Sequence, residues 1–140
     1  MSAHPHRLKR IRSFMVLADD ELRAVRLLSR EVRRPALFLA QQVVEKLLRA
    51  VIEADDERAG PTHNIRELVA LLGASHSLYD AFLDFDDLSS ASSRYRYPIA
   101  SGGLADVPPE ADFLSRIVEI ENLQSKVTRF LEERKLFAKD

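Results

Sequence analysis

A chain of 140 residues has room for one domain with a buried core, and 46% hydrophobic with 31% charged residues excludes wholesale disorder. The absence of cysteine excludes a disulfide framework and a thiolate metal site, and no apolar run is long enough to span a bilayer. A net charge of −1 argues against strong non-specific nucleic-acid binding, although the first 34 residues carry nine Arg or Lys against four Asp or Glu. These features are those of a cytoplasmic domain.

The N-terminal stretch holds His4, Pro5 and His6, then the basic run Arg7 to Arg12. It reads as a loose start, and the two histidines, with no carboxylate cluster near them, do not read as metal ligands. Residues 1–17 are therefore expected to form a basic, partly flexible segment ahead of one helical domain spanning 18–137. The first helix is predicted from about Ala18 to Arg33. Asp19, Asp20 and Glu21 supply an acidic first turn, and Arg30, Arg33 and Arg34 a basic end. Ala18, Leu22, Val25, Leu28 and Val32 give it an apolar stripe. Pro35 is placed to open the next helix, and the short connection makes the two antiparallel neighbours.

The second helix, Phe38 to Ala54, is the centre of the pattern. Gln42, Glu45, Lys46, Arg49 and Glu53 collect on one polar strip, and the remaining girth is apolar, so the helix must touch more than one neighbour. Glu45 and Arg49, four apart with the acid first, read as a surface pair. Phe38 projects from the polar strip and Gln41 points into the apolar arc. Neither fits a plain bundle core.

Beyond a charged loop from Asp55 to Thr62, a short third helix is capped by Thr62 or Asn64 and stopped by Gly73. A fourth is predicted from near Ser75 or Ser77, through Leu78, Phe82, Phe85 and Leu88, to the serines and tyrosines before Pro98. The last starts at Pro109 and ends near Leu136, with Phe113, Ile117, Ile120, Leu123, Val127, Phe130 and Leu131 in one stripe. The expected fold is all-α, an up-and-down bundle of four long helices plus one short inserted helix.

Few residues carry chemistry. There is no Gly-rich phosphate loop, His-Glu-x-x-His or Gly-x-Ser-x-Gly. Asp80, Asp84 and Asp87 share a helix face without a His or a matching acidic helix, so no metal site is expected. The group Arg94, Tyr95, Arg96 and Tyr97 is more specific. Guanidinium groups can grip phosphate and a phenol ring can stack a base, although the same residues can equally close a helix end. His63 is the side chain placed to titrate near neutrality.

The series Gln41-Gln42-x-x-Glu45-Lys46-x-Leu48-x-Ala50, then His63-Asn64-Ile65-x-x-Leu68-x-x-Leu71-Leu72, then Arg96-Tyr97-Pro98 and a final long helix, resembles the HEPN domain family over roughly Asp19 to Leu136. Arg49 stands where the family pattern has Lys, and Ile65 where it has Leu. The resemblance implies a helical bundle related to the helical domain of kanamycin-type nucleotidyltransferases. It implies a homodimer that binds a nucleotide such as ATP, or associates with a small nucleotidyltransferase in a two-component, toxin–antitoxin-like system. On that reading Arg94, Tyr95, Arg96 and Tyr97, with His63 and Lys46, are the candidate nucleotide-binding residues, Phe38 is the candidate dimer surface, and Gln41, part of the recurring pattern, is a buried hydrogen-bonding position.

One branch of the family comprises RNases, often toxins, that use an Arg followed by four to six residues and then a His. No His follows Arg94 or Arg96, and the only such spacing, Arg58 to His63, falls before the third helix. RNA cleavage is therefore the alternative expectation, with His63 or Tyr97 standing in as acid or base.

Overall fold

The computed structural model describes residues 5–138, so His4 lies outside it. The described residues form α1 (Arg7–Leu28), α2 (Arg33–Ala54), α3 (Ile65–Ala70), α4 (Tyr79–Leu83), α5 (Ala91–Arg94) and α6 (Glu110–Glu133), with a 3₁₀ turn at Asp86–Ser90 between α4 and α5. They contain no strand, and the chain is all-α.

α1 and α2 lie antiparallel, as the short connection predicts. Lys46 pairs with Glu21 near the middle, and Arg10 with Glu53 at the far end. α6 runs against α1, through Arg26 with Glu121 and Gln124 with Asp19. It therefore runs along α2, whose first residue, Arg33, donates to the Pro108 carbonyl just ahead of α6.

The breadth of α2's apolar arc is realised. Ala40, Val43, Val44, Leu47, Leu48, Ala50 and Val51 are all fully buried, and α2 touches α1, α3, α5, the 3₁₀ turn and α6. Each Leu or Val buried this way contributes about 1.5–3 kcal/mol.

The structure corrects the start of the bundle. The basic run expected as a loose segment is helical from Arg7, and Ile11 and Met15 extend the buried stripe of Ala18, Leu22 and Val25 by two turns. Basic residues at a helix N-terminus oppose its dipole, which is why the acidic turn at Asp19 looked like the beginning. Here the positive charge meets the negative end of another helix. Arg7 donates through Nε to the Glu53 carbonyl at 2.6 Å and through a terminal nitrogen to the Ala54 carbonyl. Arg10 grips both Glu53 carboxylate oxygens, at 2.9 and 2.7 Å. At the other end α1 stops at Leu28, short of Arg33, and α2 begins before Pro35.

The fourth long helix is the second correction. Between Ser75 and Pro98 the chain makes α4, the 3₁₀ turn and α5, none longer than five residues. Aspartates and serines favour local backbone bonding over helix continuation. Arg116 of α6 takes the consequence, donating to the Asp84 carbonyl at 2.8 Å and to the Asp87 carboxylate while its guanidinium lies 4.3 Å from the Phe85 ring centroid. Phe82, Phe85 and Leu88 are nevertheless buried, so this broken limb closes the core without being a continuous helix. Three long helices and a segmented fourth side make the bundle.

Candidate functional site

The polar strip of α2 is a continuous hydrogen-bonded chain running from α1 to the loop before α3. Lys46 Nζ lies 2.8 and 3.0 Å from the two Glu21 oxygens and donates to Gln42 Oε1 at 3.1 Å. Gln42 Nε2 donates to Gln41 Oε1 at 2.7 Å. Gln41 Nε2 then donates to Glu45 Oε1 at 3.1 Å and to the His63 carbonyl at 3.2 Å. Gln41 is 0% exposed with its amide bonded at both ends, so it is the buried hydrogen-bonding position its place in the apolar arc foreshadows.

Glu45 is the hub. The residue is 5% exposed, and its carboxylate accepts from Gln41, from Arg49 Nε at 2.9 Å and from His63 Nδ1, which lies 3.0 and 3.2 Å from its two oxygens. Arg49 ties the same loop down through the Gly60 carbonyl at 3.1 Å and the Thr62 carbonyl at 2.6 Å. Burial pushes the Glu45 carboxyl up. Hydrogen bonds from Gln41, His63 and Arg49, with the Arg49 charge, outweigh it and hold the group below the ordinary carboxylate range. An ionised carboxylate only accepts, so His63 carries its proton on Nδ1 and leaves Nε2 for the outside. The His63 side chain is 62% exposed.

Seven residues earlier on the same strip, Phe38 sits under Arg96. The guanidinium lies 4.7 Å from the Phe38 ring centroid and 5.3 Å from that of Tyr97. It donates to the Ser92 carbonyl at 3.1 Å and, at 3.4 Å, to the Tyr97 hydroxyl. Two of its five N–H donors are engaged by the protein, and Arg96 and Tyr97 are both exposed. Phe38 is half-buried by this contact instead of standing free on the surface.

The candidates thus separate into groups. Arg96 and Tyr97 join Phe38. Arg94 stacks on Tyr95, 5.6 Å from its ring centroid, and both line a cavity of about 300 Å³ with Leu37, Phe113 and Arg116. His63 joins Glu45. Lys46 is held by Glu21 and Gln42, with its side chain 18% exposed, and faces α1 instead of the arginines. No cluster of three or more His, Asp or Glu suited to a metal ion occurs among the described residues. The i,i+4 spacing of Glu45 and Arg49 marks them as a surface pair, but the loop from Gly60 to His63 folds over them. The signal that Glu45 lies inward is its step from Gln41, one turn earlier within the apolar arc.

The polar strip of α2 thus lies under an exposed guanidinium stack, supplied by the segment after α5, and a carboxylate-held histidine, supplied by the loop before α3. The HEPN domain family model matches residues 18–134, and the chain belongs to that family. At the family level this makes it a nucleotide- or RNA-related module, and HEPN domains often act as dimers. No curated protein and no solved structure matches the chain. No helix among the described residues is long and apolar enough to cross a membrane.

Proposed function

We propose that this chain is a homodimeric nucleotide-binding module that holds a phosphate-bearing ligand at Arg96. The carrying observation is the Phe38–Arg96–Tyr97 stack. Two aromatic rings orient an exposed guanidinium whose remaining donors face solvent. A planar fork held this way matches a phosphate bidentately, and the exposed Tyr97 ring offers a base a face to stack on. Arg94, exposed and stacked on Tyr95 at the separate cavity with Leu37, Phe113 and Arg116, is a second cation on the same segment. The dimer contact is assigned to the Phe38 end of α2, with Ile99 and Leu104 the exposed apolar side chains of the segment that follows Arg96. A small nucleotidyltransferase is the partner that a two-component role would bring.

Titration calorimetry with ATP, other nucleotides and short RNA tests the reading. Binding of one of these, weakened at least about tenfold in Arg96→Ala, supports it. No heat with any of them overturns nucleotide binding. Light scattering reads the dimer, and co-purification with a co-expressed small nucleotidyltransferase reads the partner.

RNA cleavage is the second reading, favoured by the Glu45–His63 contact, which fixes one imidazole tautomer and leaves the other nitrogen outward. Incubation with total RNA discriminates. Cleavage lost in His63→Gln and Arg96→Ala would move the protein from binding module to enzyme.

A further inference from the structure

We infer that the Glu45–His63 pair is a second phosphate contact on the face that carries Arg96, in which His63 Nε2 donates to the ligand when the imidazole is protonated. The inference rests on the phosphate-binding reading of Arg96 and adds to it a site, a spacing and a pH dependence. Phe38 and Glu45 are seven residues apart on one helix, within about 20° of the same azimuth and about 10 Å apart along the axis. Arg96 covers the first and His63 the second. The exposed guanidinium of Arg96 and the exposed imidazole of His63 therefore stand over one strip at a distance that a nucleotide with a phosphate chain, or a short single strand, can bridge.

The geometry around His63 suits a charged imidazole. Nδ1 faces both Glu45 oxygens, at 3.0 and 3.2 Å, and this contact aims the ring before any ligand arrives. The charged groups bonded around it come from α2 and α3. Glu45 and Arg49 come from α2, and Arg49 is turned onto the Gly60 and Thr62 carbonyls beneath the loop. From α3, Glu67 is bonded to the Thr62 hydroxyl, and Arg66 is paired with Asp86 of the 3₁₀ turn. Glu45 is ionised and buried, so it holds Nδ1 without competing for the ligand in solvent. A surface histidine used only to pin a loop would need no carboxylate under it, since Arg49 and Gln41 already hold that loop by its carbonyls.

The experiment measures ATP and a short single-stranded RNA by calorimetry at about pH 5.5 and about pH 8, on either side of an ordinary imidazole titration. The wild-type protein is compared with His63→Gln, Glu45→Gln and Arg96→Ala. The ligands' own protonation is common to all four proteins, so the ratio of affinities at the two pH values, relative to His63→Gln, isolates the ring. A ratio at least about fivefold larger in wild type than in His63→Gln is expected, with Arg96→Ala weakening both pH values and keeping the ratio. Nitrogen NMR of the His63 ring gives a readout independent of ligand. The neutral ring should carry its proton on Nδ1 in wild type and lose that preference in Glu45→Gln. Preference of ATP or of RNA for the pH-dependent contact identifies the phosphate source. The same ratio in wild type and His63→Gln, with binding intact, overturns this inference and leaves the Arg96 reading standing. Absence of binding at both pH values overturns both.

Discussion

The guanidinium of Arg96 lies 4.7 Å from the Phe38 ring centroid, joining the irregular segment after α5 to the first turns of α2. The contact aligns an exposed arginine that is bonded besides only within its own segment, to Ser92 and Tyr97, and covers an aromatic ring that sequence periodicity places on the polar side. An exposed cation–π contact contributes about 0.5–1 kcal/mol, too little to explain the group as a fold element. Arg96→Ala should therefore lower the thermal midpoint only slightly while removing most nucleotide affinity. A large drop in the midpoint with unchanged affinity would assign the group to folding.

Glu45 makes stability depend on acid. Its folded pKa lies below the unfolded value of about 4.5, so its contribution is fully present above that value and lost as pH falls through the lower, folded one. Urea midpoints measured from neutrality down to about pH 3 should fall in that window, and less steeply in Glu45→Gln. At neutral pH, Glu45→Ala leaves Gln41 and Arg49 without their shared acceptor and should cost about 2–4 kcal/mol.

Deleting residues 1–17 should abolish cooperative folding. The deletion removes Ile11 and Met15 from the core, each worth about 2–4 kcal/mol, together with the Arg7 and Arg10 contacts to the end of α2. A domain of this size has about 5–15 kcal/mol in total. Circular dichroism on residues 18–140 checks this. A sharp melt at the full-length midpoint would show that the family-matched segment is sufficient.

Gly73 follows α3 at φ +83°, where a side chain is strained, although nothing lies within 4 Å of a Cβ built there. Gly73→Ala should cost about 1–2 kcal/mol through backbone strain alone. A midpoint equal to wild type would mean that this turn relaxes freely.

Much of the bundle was legible in the chain. The stripe of α6 from Phe113 to Leu131 lies in the core as the 3.6-residue period predicts, and α6 begins directly after Pro109. Asn64 caps α3 by accepting from the Glu67 amide. The expectation failed where a distant partner overrode a local rule. Charge preference put the first helix start at the acidic turn, whereas the carbonyls and carboxylate ending α2 offset the basic start at Arg7. Spacing put Leu78, Phe82, Phe85 and Leu88 on one helix. They do share a core face, but the intervening aspartates and serines break the backbone into short turns, and Arg116 takes up the Asp84 carbonyl and the Asp87 carboxylate. Of the site, Arg96, Tyr97 and His63 could be named as chemistry-bearing types. Their partners could not, because Phe38 lies 58 residues from Arg96 and Glu45 lies 18 from His63.

By itself, the sequence determined an all-α chain centred on α2, because an apolar arc covering most of a helix has no stable place except between several neighbours. It also determined which polar residues share the remaining strip, since that follows from 3.6 residues per turn. Only the tertiary structure decided what the strip does. The loop from Gly60 to His63 folds over Glu45 and turns a surface acid into a buried acceptor, and the segment after α5 brings Arg96 onto Phe38. Both are contacts between distant parts of the chain, and no local pattern encodes the carboxylate's loss of water or the ring's new neighbour.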